Sequence, residues 1–199
     1  MVNTVLLTMT GIVLAGGENR RMGADKAFLK LDGRPLIEHV LKALKGVFDR
    51  IIIVTNSPQQ YDAYGVTVVM DAFDKRGPLT GIYSGLASSQ DECNFVTACD
   101  MPYLNHRFIS YMAGLVEGYD AVVPKPGGRA EPLHAIYRKG LLPLIEKRIQ
   151  QDLRRISAIF DDVRVRYVEE QEIYLFDPGK RSFVNINTPK EYEEATCLD

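Results

Sequence analysis

Six short apolar runs, at residues 12–15, 51–55, 66–70, 95–98, 121–124 and 163–168, constrain the fold of this chain most. Most are continuously apolar instead of alternating with polar residues, the pattern of strands covered on both faces. Segments with helical spacing separate them, and that alternation predicts an α/β architecture. The expected fold is a three-layer α/β/α sandwich, Rossmann-like, with a mostly parallel sheet and a small antiparallel addition. In such folds ligands lie beyond the carboxyl ends of the strands.

The clearest helix follows the turn Asp32-Gly33: Pro35 suits a first helical position, and Leu36, Ile37, Val40, Leu41 and Leu44 form one apolar stripe. Further helices are expected over residues 79–87, 107–116, 141–160 and 190–195, the last capped by Thr188 with Pro189 at its first position. The stretch 130–137 is extended in character, and Pro132 assigns it to an edge strand or a bulge.

The first run leads directly into Gly16-Gly17-Glu-Asn-Arg20-Arg21-Met-Gly-Ala-Asp-Lys26. Glycine backbones let main-chain N–H groups approach an anion closely, and three nearby cations supply charge. The grouping implies a grip on polyphosphate, as in a nucleoside triphosphate. The spacing matches neither the G-x-G-x-x-G of dinucleotide folds nor the P-loop, because Lys26 lacks the preceding Gly and following Ser or Thr.

The 199 residues suit a single domain, with residues 1–8 a dispensable extension ahead of Met9. A net charge of −2 and a pI near 6.0 give no global pull toward nucleic acid or an anionic membrane, so an anionic ligand must be held by local charge. Cys93, Cys99 and Cys197 form neither a C-x-x-C pair nor an even set, which points to reduced thiols and a cytoplasmic location. No apolar run approaches the roughly 20 residues needed to span a bilayer, and the start lacks an export signal.

Asp100 follows the run 95–98 at the sheet edge where the glycine turn also opens. It is the candidate Mg²⁺ ligand, since Mg²⁺ takes one or two carboxylates and completes its shell with phosphate oxygens and water; a plain strand terminator before Met101-Pro102 is the competing reading. Asp71 and Asn56 also follow strands and suit hydrogen bonds to a base or ribose, or turn and cap roles. His39 and His106 read as structural, and His134 as a weak candidate for substrate contact. No serine sits in a nucleophile elbow.

Five segments in this order, Leu14-Ala-Gly-Gly-Glu-Asn-Arg-Arg-Met-Gly-Ala-Asp-Lys26, Gly77-Pro-Leu-Thr-Gly81, Cys99-Asp-Met-Pro102, Glu131-Pro-Leu-His-Ala-Ile-Tyr137 and Phe183-Val-Asn-Ile-Asn-Thr-Pro189, resemble the molybdenum cofactor guanylyltransferases over nearly the whole chain. The resemblance implies transfer of GMP from GTP to the terminal phosphate of molybdopterin, with Mg²⁺ and release of diphosphate. It also implies site residues: Leu14, Ala15, Gly16, Gly17, Lys26, Asn56, Asp71 and Asp100 for the nucleotide, Asp100 and Asn187 for the metal, and Asn185 and Asn187 for the second substrate. The mechanism this suggests is direct in-line attack without a covalent enzyme intermediate, with Arg20, Arg21, Lys26 and Asp100 as the expected catalytic residues. Molybdoenzymes or their chaperones are expected as product acceptors.

The segment Ile149-Gln-Gln-Asp-Leu-Arg154-Arg155 departs from the expected glycine before paired arginines, so a pterin contact and a solvated helix face both remain open for that pair. The grip itself identifies neither base nor acceptor. A transferase using CTP with molybdopterin, one using a nucleotide with a sugar phosphate, and a noncatalytic GTP sensor are the alternatives.

Overall fold

The computed structural model describes residues 7–16, 26–73, 77–153 and 155–186. A seven-stranded sheet runs through the molecule. Its strands are β1 (Leu7–Leu14), β4 (Phe48–Val54), β5 (Thr67–Val69), β6 (Cys93–Ala98), β7 (Ala121–Pro124), β8 (His134–Arg138) and β9 (Val165–Val168), in the spatial order β5-β4-β1-β6-β8-β7-β9. All pairings are parallel except those on either side of β8. A two-stranded hairpin of β2 (Lys30–Leu31) and β3 (Arg34–Pro35) turns at Asp32 and Gly33, whose φ angles of 50° and 76° are the left-handed pair that a two-residue hairpin needs.

Helices cover both faces, as the apolar runs demand. On one face α1 (Leu36–Lys45), α3 (His106–Ala113) and α5 (Glu170–Tyr174) pack Ile37, Val40, Leu44, Phe108, Met112 and Ile173 against Val13, Ile53, Phe95 and Ile136. On the other, α2 (Pro78–Ser88) and α4 (Leu142–Gln150) pack Leu79, Ile82, Leu86, Ile145 and Ile149 against Ile12, Leu14, Val54, Val96 and Tyr137. Neighbouring residues of each strand thus serve opposite cores, and the three-layer α/β/α expectation holds.

Four local expectations need correction. Pro35 belongs to β3 and caps α1 instead of opening it, so the helix starts at Leu36. The helix expected over 141–160 ends at Gln150; Asp152 takes φ 59°, and the apolar residues Ile156, Ile159 and Phe160 return to the same core from a 3₁₀ turn, Ile156–Asp161. The extended segment 130–137 is no edge strand: β8 begins after Pro132, and all its ladder N–H groups remain usable between β6 and β7. The sheet starts at Leu7, in register with Phe48, so residues 7 and 8 of the eight-residue extension are part of β1. Residues 1–6 and the helix expected over 190–195 lie outside the described residues.

The opposite, amino-terminal edge of the sheet is fixed by a polar cluster. Asp91 accepts Thr10 Oγ1 at 2.7 Å and a forked pair from Arg50, Nε at 2.9 Å and Nη2 at 2.5 Å, while Ser89 Oγ donates to Thr10 Oγ1 at 3.0 Å. The Arg50 hydrogen bonds hold the Asp91 carboxyl below its ordinary range. This joins β1, β4 and the turn before β6.

Candidate active site at the carboxyl edge of the sheet

The last residues of β1, β4, β5 and β6 meet at one edge because the ladder hydrogen bonds continue past the strands. Ala15 N donates to Val54 O at 2.8 Å, Thr55 N to Val69 O at 2.9 Å, and Cys99 N to Leu14 O at 3.1 Å. Leu14 and Ala15 are buried and Gly16 is exposed, so the chain reaches solvent at the glycine turn. A Cβ on Gly16 would stand 4.0 Å from Asp71 Oδ2 and from Val54 O, which puts the turn beside the end of β5.

Two side-chain pairs occupy this edge. Asn56 Nδ2 donates to Asp71 Oδ2 at 3.1 Å, and β4 and β5 set that contact by pairing Val54 with Val69. Lys26 Nζ stands 3.7 Å from Asp100 Oδ2, with both side chains largely shielded. Lys26 begins a single 3₁₀ turn, Lys26–Phe28, whose Ala27 is buried in the core. Asp100 follows β6, and its carbonyl accepts the N–H of Ile186 at 3.0 Å, bringing the exposed Asn185 to the same edge. Leu14, Ala15, Gly16, Lys26, Asn56, Asp71, Asp100 and Asn185 therefore converge at this edge. Gly17, Arg20, Arg21 and Asn187 lie outside the described residues, as does Arg154; Arg155 is exposed and its Nε donates to Ser157 Oγ at 2.8 Å.

The chemistry of the donor set suits a divalent cation bound together with phosphate. Among the described residues no group of three His, Cys, Asp or Glu is gathered as a self-sufficient metal site. A single carboxylate, Asp100, beside a lysine is instead what a magnesium phosphate complex needs, because the phosphate oxygens supply ligands of their own.

Sequence reasoning missed two residues. Glu131 lies in the connection between β7 and β8; its Oε1 accepts Leu133 N at 3.0 Å and its own N–H donates to Pro124 O at 2.8 Å. Burial raises its carboxyl above the ordinary value, the nearby negative charge of Asp100 adds to the rise, and the Leu133 N–H opposes it. It stood in a quoted segment, but nothing local marks it as an acid near Asp100. Ser84 is the second, a buried helical serine that reads like any other.

His134 does not reach solvent. It is fully buried, its ring packed by Phe95, Phe108 and Phe183 at centroid distances of 5.0–5.6 Å, and neither ring nitrogen has a partner among the described residues. Burial lowers its pKa to about 3, so it stays neutral and takes no part in substrate contact. His39 is structural too, with Nε2 2.9 Å from Leu31 O. Among the described residues no helix is long and apolar enough to cross a membrane.

Comparison with known proteins places this geometry. A molybdenum cofactor guanylyltransferase from Desulfosudis oleivorans is 42% identical over 189 residues, covering 94% of each chain. A probable molybdenum cofactor guanylyltransferase from Peptoclostridium acidaminophilum is 36% identical, covering 93% of this chain and 87% of the other. The crystal structure of molybdopterin-guanine dinucleotide biosynthesis protein A from Archaeoglobus fulgidus superposes with a TM-score of 0.83 at 28% identity, over 96% of this chain and 98% of that one. The model of the MobA-like NTP transferase domain matches residues 11–167, and with these relatives it establishes that the chain belongs to the MobA-like NTP transferase family, whose members are nucleotidyltransferases.

Proposed function

We propose that the chain is a molybdenum cofactor guanylyltransferase that moves GMP from GTP to Mo-molybdopterin, forming a guanine dinucleotide cofactor and releasing diphosphate. The observation that carries the proposal is the convergence of Lys26–Asp100 and Asn56–Asp71 on the edge where Gly16 opens to solvent, in a chain so similar to named guanylyltransferases. A cytoplasmic location and delivery of product to molybdoenzymes or their chaperones fit this activity.

Asp71, accepting only, receives N–H donors of guanosine and is oriented by Asn56. The Leu14-Ala15-Gly16 backbone and Gly17 border the phosphates, and Lys26 with Arg20 and Arg21 neutralises the diphosphate as it departs. Asp100 would hold Mg²⁺, together with Asn187; when bound, the ion supplies positive charge to phosphate oxygens. Asn185 and Asn187 are assigned to the acceptor by the family motif. The acceptor phosphate is already ionised at neutral pH, so no side chain has to remove a proton from the nucleophile. Holding two anions in line is then the main task of the protein.

The test is diphosphate release from GTP with and without molybdopterin, in parallel with CTP and UTP. Turnover should require both GTP and molybdopterin, and Asp100→Asn should abolish it while GTP binding persists. Robust use of CTP in place of GTP, or unchanged turnover in Asp100→Asn, overturns the assignment.

A further inference from the structure

The loop after β5 carries Asp71, and it is not left to itself. Ala72 N donates to Ser84 Oγ at 2.9 Å, and that hydroxyl donates onward to Thr80 O at 2.8 Å, so one buried side chain joins the loop to the middle of α2. One residue along, the Phe73 ring meets Tyr83 edge-on at a centroid distance of 5.0 Å. Where the chain enters α2, Thr80 Oγ1 donates to Gly77 O at 2.6 Å.

The helix that anchors the loop has itself little room to move. A Cβ on Gly85 would fall 2.5 Å from Ile12 Cγ2, and one on Gly81 would fall 3.2 Å from Leu14 Cδ2. The glycines thus seat α2 directly on β1, the strand that ends in the Leu14-Ala15-Gly16 turn. A chain of direct contacts runs from that turn through β1 and α2 to Ser84, then to Ala72 and the adjacent Asp71 carboxylate. Asn56, two residues past the end of β4, fixes the same carboxylate. Discrimination between bases requires such fixing, since a carboxylate free to swing accepts from many donor arrangements, whereas a fixed one rewards only the matching edge.

We infer that Ser84 is a positioning residue for base selection: it holds the Asp71 loop at a set distance from the phosphate turn, so that the carboxylate meets the paired donor edge of guanine and not the edge of adenine. This rests on the reading of Asp71 as a guanosine contact. Ser84 touches no substrate and acts through Ala72 and Asp71.

The experiment compares kcat and KM for GTP and ATP in the wild type, Ser84→Ala, Tyr83→Leu and Asp71→Ala, with melting curves to confirm folding. Loss of the hydroxyl that holds the Ala72 N–H should raise the GTP KM of Ser84→Ala about tenfold, leave kcat within about twofold, and lower the preference for GTP over ATP by a similar factor. Tyr83→Leu, which loosens the loop from a half-buried position, should shift preference in the same direction by a smaller factor and keeps the test open should Ser84→Ala not fold. Asp71→Ala should lose most of the preference. If Asp71→Ala loses it while Ser84→Ala and Tyr83→Leu keep it, the positioning role is overturned and the Asp71 reading stands. If Asp71→Ala keeps it, both fail; equal losses for GTP and ATP in the loop variants overturn base selection as the purpose of the loop.

Discussion

Acid should weaken this protein well above the pH at which carboxylates titrate, and His134 is the reason. Folded, its imidazole is sealed among Phe95, Phe108 and Phe183 and accepts a proton only near pH 3; unfolded, it accepts one near its ordinary 6.5. A His with a lowered folded pKa is uncharged in the native state at neutral pH, so the unfolded chain binds the extra proton as pH falls below 6.5. Stability therefore drops through the window from 6.5 to about 3. Each unit is worth about 1.4 kcal/mol, so pH 5 removes roughly 2 kcal/mol relative to neutral pH. For a chain of this size that lowers Tm by roughly 4–8 °C. Glu131, whose carboxyl burial raises, acts in the opposite direction, adding stability as pH falls, and does so in any variant at position 134. Calorimetry between pH 7 and 5 on the wild type and His134→Phe should show the slope in the first and its loss in the second, with guanylyl transfer at pH 7 retained. Equal slopes in the two proteins, or an imidazole seen by NMR to protonate near pH 6 in the native state, would refute the argument.

Two further outcomes follow from the same geometry. Lys26→Ala removes the cation 3.7 Å from Asp100 and should lower kcat/KM for GTP by about ten- to hundredfold, the worth of a charge-assisted contact; wild-type kinetics would remove Lys26 from the phosphate grip. Asp91→Ala leaves the buried Thr10 hydroxyl at the far edge of the sheet without its acceptor, while the half-exposed Arg50 stays hydrated, and should cost about 1–3 kcal/mol, a Tm drop of several degrees, while kcat and KM at 25 °C stay unchanged; an unaltered melting curve would mean the cluster contributes nothing.

The sheet was legible because strands buried on both faces must be apolar throughout, and Ala121–Pro124 even keeps its expected bounds. The antiparallel strand was misplaced because a proline weighs against a central strand only when it lies inside one, and Pro132 precedes His134–Arg138. The break after Gln150 was hidden because Ile156, Ile159 and Phe160 continue the apolar pattern across the left-handed Asp152. In the site, Asp100 and Lys26 could be picked out individually. The Asn56–Asp71 bond could not, because strand register brings together two residues that each pass for turn formers. Ser84 had no signal at all: its role exists only through a loop folded back onto it.

The reversed strand β8 has an implication for how such a molecule can diversify. Because β7 and β8 run in opposite directions, the chain between Pro124 and His134 makes a U-turn on the same edge as Gly16, where parallel neighbours would require a helix passing over the far side. That U-turn is tied to α5 by the Gly127 N–H on Glu170 Oε2 and to the core by the Tyr137 hydroxyl on Pro132 O, so residues can be added or exchanged between those anchors without displacing the strands β1, β4 and β5 that flank Gly16. The architecture thereby separates the edge around Gly16, where the nucleotide is proposed to bind, from a stretch of rim that can vary with the acceptor.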